Sequence, residues 1–539
     1  MMKNLIWTVS IVAGVVALLA TQGSRAELPG VHADLIRTHL EFLASDALEG
    51  RMTGTPGFDR AAAYVATQFE RLGLETAFGG RFQQPMSLRH TKAVATDSSI
   101  TLRSGQQEQQ LAFDTDFVAT GDIHRESIDV TAPIVFVGDG VSTPDHGYDD
   151  YARVDVRGKI VALVLRRIPV LGPEQVAYFG NIDVRVEHAI QHGAVGFLML
   201  GADADYPWDR NQQLAFQGLH RILDGSGRPL EPSQPIAVAV LQYAAARQIF
   251  TIASLDYANT LGTHVSSQLP AMELPVTATI RIRSTHTAID SANIGAVLRG
   301  SDPKLKDEFV VFSAHLDHVG RGIPVNGDDI YNGAIDNASG VSEMLAMADT
   351  ATRLPQRPRR SLLFLATAGE EIGNLGAKYF VAHPPMPLRN VAALVNVDGP
   401  TLMVYPVTGV NAMGGAHSTL GRSAAAIAAR LGLRITQTTS PTGGDQGPFL
   451  MGGVPILWPV ALPDPRRPGV DEAAEERAFM ARRYHQPTDD LNRPLDYGAA
   501  AAMAQYDLLV GLLVAQRDAT PRWNAGDFFG DTFGRAISR

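Results

Sequence analysis

From about Val276 onward the chain alternates short, uninterrupted apolar runs with longer segments of helical periodicity. Few folds accommodate that alternation. The strand candidates are Phe309 to Phe312, Leu362 to Ala366, Val391 to Val397 and Val454 to Val460. Helix candidates lie between them, at Ala338 to Leu354, Gly373 to His383 and Ser418 to Leu431, and a last helix runs from about Tyr497 to Arg517. A strand apolar at every position has no face to offer water, so it must be covered on both sides. The pattern therefore reads as an α/β fold, a mostly parallel mixed sheet flanked by helices.

Two more helices are expected near the start, Asp34 to Ala47 and Phe58 to Leu72, the second stopping at Gly73. Neither can bury its apolar face alone, so both must pack on later segments. Between about Asp116 and Val265 the texture changes. Pro133 to Val137, Lys159 to Leu165 and Gly193 to Leu200 read as strands, with a helix from Val184 to His192. This stretch reads as a smaller β-rich domain inserted into the larger one. With 539 residues the chain is too long for a single core. The division expected is 1–26 as a leader, 27–115 and 266–539 as the main domain, and 116–265 as the insert. The histidines of the insert, His124, His146, His188, His192 and His220, are scattered and read as surface or structural groups.

Lys3 precedes an apolar stretch from Leu5 to Ala20, and Ser24-Arg25-Ala26 offers small residues where a signal peptidase reads. The expectation is a cleaved signal, a mature chain beginning near Glu27, and an exported protein, periplasmic or secreted. No other segment reads as long and apolar enough to span a bilayer, so no stable membrane partner is expected after cleavage. The formal net charge of -10 argues against nucleic acid as a partner. With no cysteine, the chain has neither disulfides nor thiolate ligands, and any metal must be held by His, Asp and Glu.

Such residues fall at the carboxyl ends of the expected strands. His315 and Asp317 follow one strand, Glu370 and Glu371 a second, and Asp398 a third. Ligands of open α/β sheets bind at that edge. Asp336 and Asn337 stand just ahead of the Ala338 helix, and His485 lies in a polar loop before the final helix. Each alone is an ordinary cap, turn or surface residue, but five such placements at one sheet edge make a candidate metal centre.

The segments His315-Leu316-Asp317, Tyr331 to Gly340, Ala368-Gly369-Glu370-Glu371, Asn396-Val397-Asp398 and Tyr484-His485 together resemble the co-catalytic zinc aminopeptidase family, which includes bacterial leucyl aminopeptidases and glutamate carboxypeptidases. Leu48 to Arg51, Gly54 to Gly57, Asp445, Pro448-Phe449 and Gly453 to Pro455 extend the likeness. The insert resembles a protease-associated domain through Asp155 to Val161 and the Gly193-Ala194 strand entry. The resemblance implies a zinc exopeptidase fold and two zinc ions per chain. His315 and Asp398 would hold one ion, Glu371 and His485 the other, and Asp336 would bridge them. Glu370 would be the general base. Asp317 would accept a hydrogen bond from the second ring nitrogen of His315, and Tyr484 would stabilise an oxyanion. Asp445 would line the substrate site, although Gln446 stands where relatives commonly carry His or Tyr.

The activity implied is hydrolysis of the N-terminal residue of a peptide. A dipeptide or C-terminal exopeptidase and a glutaminyl cyclase-like enzyme share this chemistry. An inactive receptor-like binding protein is the reading of another class, and the complete ligand set speaks against it. The insert is expected to shape access to the zinc site and to do no chemistry. Substrate preference and oligomeric state are not written in the motifs.

Overall fold

The computed structural model describes residues 29–203, 208–230, 236–262, 267–440, 442–469 and 471–534. The expected signal, 1–26, lies outside them. Four parallel strands form the heart of the main sheet, in the spatial order Ser361–Thr367, Phe309–His315, Val391–Asn396 and Ile456–Ala461. The first three are buried at every residue, which is why their sequences read as unbroken apolar runs.

Successive side chains point to opposite faces. Val310, Phe312, Phe364 and Val395 join a core with the helices Ala33–Leu43, Pro56–Arg71, Gly340–Thr352, Leu420–Leu431 and Tyr497–Gln516. Val311, Leu363, Leu365 and Leu394 join a core on the other face with Ala377, Phe380, Phe449 and Phe529 from three shorter helices. Each fully buried Val, Leu or Phe contributes about 1.5–3 kcal/mol relative to exposure, so two such cores hold the sheet rigid. The early helices thus do pack on later segments, through Ile36, Leu40, Val65 and Phe69.

Tyr497–Gln516 is long and apolar enough to cross a membrane, contrary to the expectation that only the N-terminal stretch is so. Its most apolar window is 78% buried within the protein, the environment of a core helix.

A second lobe has its own core around parallel strands Ser127–Val137, Ile160–Val164, Gly196–Leu200 and Ala237–Leu241. That core also takes in Ile100, Leu102 and Leu111, and Leu274 to Ile282, which lie outside the span 116–265. The reason is one 28-residue strand, Ala271–Leu298. Its first half pairs with Ser127–Val137 and Ser99–Ser104 in the second lobe. Its second half pairs with Gln83–Ala93 and Ser361–Thr367 in the main sheet. A strand's own pattern does not say which sheet it joins, so the boundary lay beyond sequence reading. His220 is buried and stacked on His90 with ring centroids 4.3 Å apart, a structural placement.

Candidate functional site

The chain leaves the central strand at His315, returns through the helix Gly340–Thr352 to the strand on one side, then crosses through Leu375–Ala382 to the strand on the other side. Connections diverging from one strand open a crevice at its carboxyl end. His315, Glu370, Glu371 and Asp398 lie at that end, each at or just past the last residue of its strand.

Local structure fixes each side chain. Asn337 donates to Val397 O at 2.9 Å and accepts from Gly340 N and Gly399 N, tying the Asp336 turn to the Asp398 turn. Gly340 makes this possible: a Cβ there would lie 2.2 Å from Asn337 Oδ1 and 2.3 Å from Val397 O. The buried carboxylate of Asp489 accepts from Ile335 N and Asp336 N, each at 3.1 Å. Asn293 accepts from Ala368 N and donates to Gly376 O, fixing the loop that carries the two glutamates. Behind the crevice, the buried Arg51 guanidinium donates to the carbonyls of Leu316, Leu43, Asn332 and Gly333.

The resulting donor set is compact. His315 Nε2 is 3.1 Å from Asp336 Oδ1 and 3.3 Å from Asp398 Oδ1. His485 Nε2 is 3.2 Å from Asp336 Oδ2 and 2.9 Å from Glu371 Oε2. The two oxygens of Asp336 therefore face two different donor pairs. Donor atoms of His315, Glu370 and Glu371 also lie within 4.8 Å of one another. Glu370 Oε1 accepts from Asn374 Nδ2 at 3.1 Å, which leaves its other oxygen free.

Asp317 departs from the expected role. His315 Nδ1 is 3.1 Å from the backbone carbonyl of Asp317, and that carbonyl orients the ring. The Asp317 carboxylate instead accepts from Glu370 N at 3.1 Å and Glu371 N at 3.3 Å, so it positions both glutamates. Two residues past a histidine at a strand end, the backbone oxygen is simply nearer than the side chain. Tyr484 stacks on His485 with centroids 3.9 Å apart. Asp445 is wholly buried and accepts from Thr367 Oγ1, so it lies beneath the site and does not line an open pocket.

Sequence reading missed His318. Its Nδ1 is 2.6 Å from Glu371 Oε1, its ring meets His485 edge-on, and His318, Asp336, Glu371 and His485 form one potential donor group. The available signal was a second histidine three positions after His315. Asp489 and Asn293 were missed as well, since nothing local distinguishes a buried second layer.

The electrostatics are those of a cation site. Burial opposes charge on His315, but the carboxylates of Asp398 and Glu370 outweigh it and hold the imidazole well above its usual range. Burial likewise opposes charge on Asp336, and its close approaches to His315 and His485 win, holding it well below the carboxylate range. Glu371 is held at about 2, burial being overcome by the two neighbouring histidines. Burial and then the charges of Glu371, Asp398 and Asp445 push Glu370 well above its usual value, against the pull of His315. Among the described residues, Asp336, Glu371 and Asp398 have no Lys or Arg partner. His485 Nε2 is buried beside two carboxylates without an aligned hydrogen bond. Imidazole nitrogens and carboxylate oxygens at these spacings fit zinc.

The second lobe reaches two segments next in sequence to candidate site residues. In its helix Trp208–Gln217, Gln213 Oε1 accepts from Ile323 N at 3.2 Å and Arg210 donates to Met480 O at 2.7 Å. Ile323 lies in the hairpin that follows His318, and Met480 in the helix that precedes Tyr484.

Fold and donor set together define a candidate zinc centre at the edge of an α/β sheet. The sequence model of Peptidase family M28 matches residues 293–510, the stretch that carries all five candidate donors. The chain superposes on an aminopeptidase from Aneurinibacillus sp. strain AM-1 with a TM-score of 0.52 and 18% identity, covering 90% of this chain and 94% of that one, a likeness of fold. It is 32% identical over 90 residues to the vacuolar membrane protease of Yarrowia lipolytica (strain CLIB 122 / E 150), covering 17% of this chain and 8% of that protein. It is 31% identical over 110 residues to the "Probable zinc metalloprotease" of Pyrenophora tritici-repentis (strain Pt-1C-BFP), covering 20% of this chain and 24% of that protein. The chain thus spans only a small part of the length of the two curated proteases it matches.

Proposed function

We propose that the protein is an exported aminopeptidase that removes N-terminal residues from peptides with two zinc ions per chain. The observation that carries this reading is the placement of Asp336, whose two oxygens face the His315–Asp398 pair and the His485–Glu371 pair separately. Five such donors serve two ions only through a shared carboxylate.

Zinc, when bound by these residues, acidifies water and polarises the scissile carbonyl. The chain supplies the remainder. Glu370 takes the proton from the attacking water on its free oxygen and returns it to the leaving amine. Asn374, bonded to its other oxygen, and Asp317, bonded to its backbone amide, keep that carboxylate directed at the crevice. Burial, reinforced by the nearby carboxylates, raises the Tyr484 hydroxyl far above its ordinary range, so it remains protonated and serves as a donor to the developing oxyanion. The helix Trp208–Gln217, braced on the hairpin and the helix beside the site, narrows the approach and favours short peptides over folded proteins.

The test is hydrolysis of free and N-acetylated aminoacyl anilides by zinc-reconstituted protein. Cleavage of the free series alone is expected. Equal cleavage of both would refute the aminopeptidase reading and favour another peptidase specificity.

A further inference from the structure

A second group of metal-ligating side chains lies outside this site. Glu174 stands in the first turn of the helix Pro173–Phe179 of the second lobe. His417 lies between the strand Gly409–Met413 and the helix Leu420–Leu431 of the main domain, and Asp527 immediately precedes the C-terminal helix Phe528–Phe533. One donor atom of each lies within 4.8 Å of the others. His417 Nδ1 is 2.8 Å from Asp527 Oδ2 and 3.5 Å from Glu174 Oε1.

Each carboxylate spends its other oxygen on a backbone amide. Asp527 Oδ1 accepts from Gly530 N at 2.9 Å, and Glu174 Oε2 accepts from Phe528 N at 3.1 Å. These bonds turn the remaining two oxygens toward the same ring nitrogen, the outer support that ligating carboxylates usually have. The histidine is held equally firmly. Asn524 N donates to His417 O and Thr419 N to Arg522 O, and Phe529 packs nearly perpendicular to the imidazole at 5.0 Å.

The charges do not balance. The side chains of His417 and Asp527 are 1% and 3% exposed, and Glu174 is 31% exposed. Among the described residues neither carboxylate pairs with Lys or Arg. One imidazole faces two carboxylates, so with both carboxylates ionised at least one negative charge remains uncompensated whatever proton the ring carries. Leaving such a charge mostly buried is costly, and a divalent cation would remove the cost. His417 Nε2 is itself buried without a hydrogen-bond partner, so the ring meets no other polar group that would explain its placement.

We propose that Glu174, His417 and Asp527 bind a divalent cation, of which zinc fits best, and that this ion clamps the second lobe and the C-terminal segment to the main domain. One nitrogen and two oxygens form a zinc-type set with a position left for water, and the exposed side of Glu174 provides the way in. The ion joins segments far apart in the chain and holds the second lobe in place against the main domain.

The experiment strips full-length protein with chelator, reloads it with zinc alone, removes the excess and counts bound zinc by mass spectrometry. Wild type is compared with Glu174→Gln, which keeps an acceptor for Phe528 N, and with Asp527→Asn. Each variant is expected to hold one zinc fewer than wild type, and zinc should raise Tm less in the variants. The same deficit of one should persist in an Asp336→Ala background, which separates this ion from those of the catalytic site. Equal zinc counts in folded wild type and folded Glu174→Gln would overturn the proposal and leave a hydrogen-bonded clasp. Should Asp527→Asn fail to fold for want of its helix cap, Glu174→Gln, at a partly exposed position, decides the matter alone.

Discussion

Glu343, which feels the charge of Asp507, and Asp507 itself lie in the core on the helices Gly340–Thr352 and Tyr497–Gln516, fully buried, with no hydrogen-bond partner on any of their four carboxyl oxygens. An unpartnered buried polar group costs about 1–3 kcal/mol, whereas an apolar group of the same shape costs nothing of the kind. Glu343→Met keeps the chain length and a good helix former, and also removes the carboxyl group near Asp507. The variant should be more stable at neutral pH by ~1–3 kcal/mol. That is a rise in Tm of several degrees, since 1 kcal/mol moves Tm by about 2–4 °C in domains of about 150–250 residues. Burial, and then the charge of Asp507, holds Glu343 well above its ordinary range, and burial does the same for Asp507. Groups raised in this way keep protons in the folded state that the unfolded chain has released. Stability is therefore intact below the unfolded carboxylate values, near about pH 4, and falls as the pH climbs toward the folded ones. The advantage of Glu343→Met should accordingly widen as the pH climbs above about 4, while Glu343→Gln, which abolishes the titration but keeps a buried polar group, should recover less. Calorimetry on chelator-treated protein keeps acid loss of zinc out of the comparison. A Glu343→Met variant no more stable than wild type at pH 7, or an advantage that does not change with pH, would refute the reasoning.

Asp336→Ala should release metal from both halves of the catalytic set and abolish hydrolysis, as metal analysis beside a chelation-and-zinc-rescue assay would read; undiminished zinc content would contradict the shared-carboxylate arrangement. Glu370→Gln should retain fold and zinc while losing ~10²–10⁴-fold in turnover, and near-normal turnover would show that another group takes the proton. Export predicts a mature N-terminus near Glu27 outside the cytoplasm, and N-terminal sequencing that finds Met1 on cytoplasmic protein would count against it.

The sequence by itself determined the layered α/β class and marked the five candidate donors that the fold brings together. Strands buried on both faces must be apolar at every position, as Phe309 to Phe312 and Leu362 to Ala366 are, and candidate donors at strand ends are marked by the abrupt change from apolar to ionisable residues at His315, Glu371 and Asp398. Both signals are local, so one sequence displays them. Tertiary structure alone decided that Ala271–Leu298 serves two sheets, because pairing partners such as Leu88 and Ile128 lie far away in the chain and impose no local mark. It decided too that the Asp317 carboxylate holds the glutamate amides, that His318 meets Glu371, and that Asp489 supports the Asp336 turn. Those roles depend on distances of about one hydrogen bond between segments that only the folded core brings together.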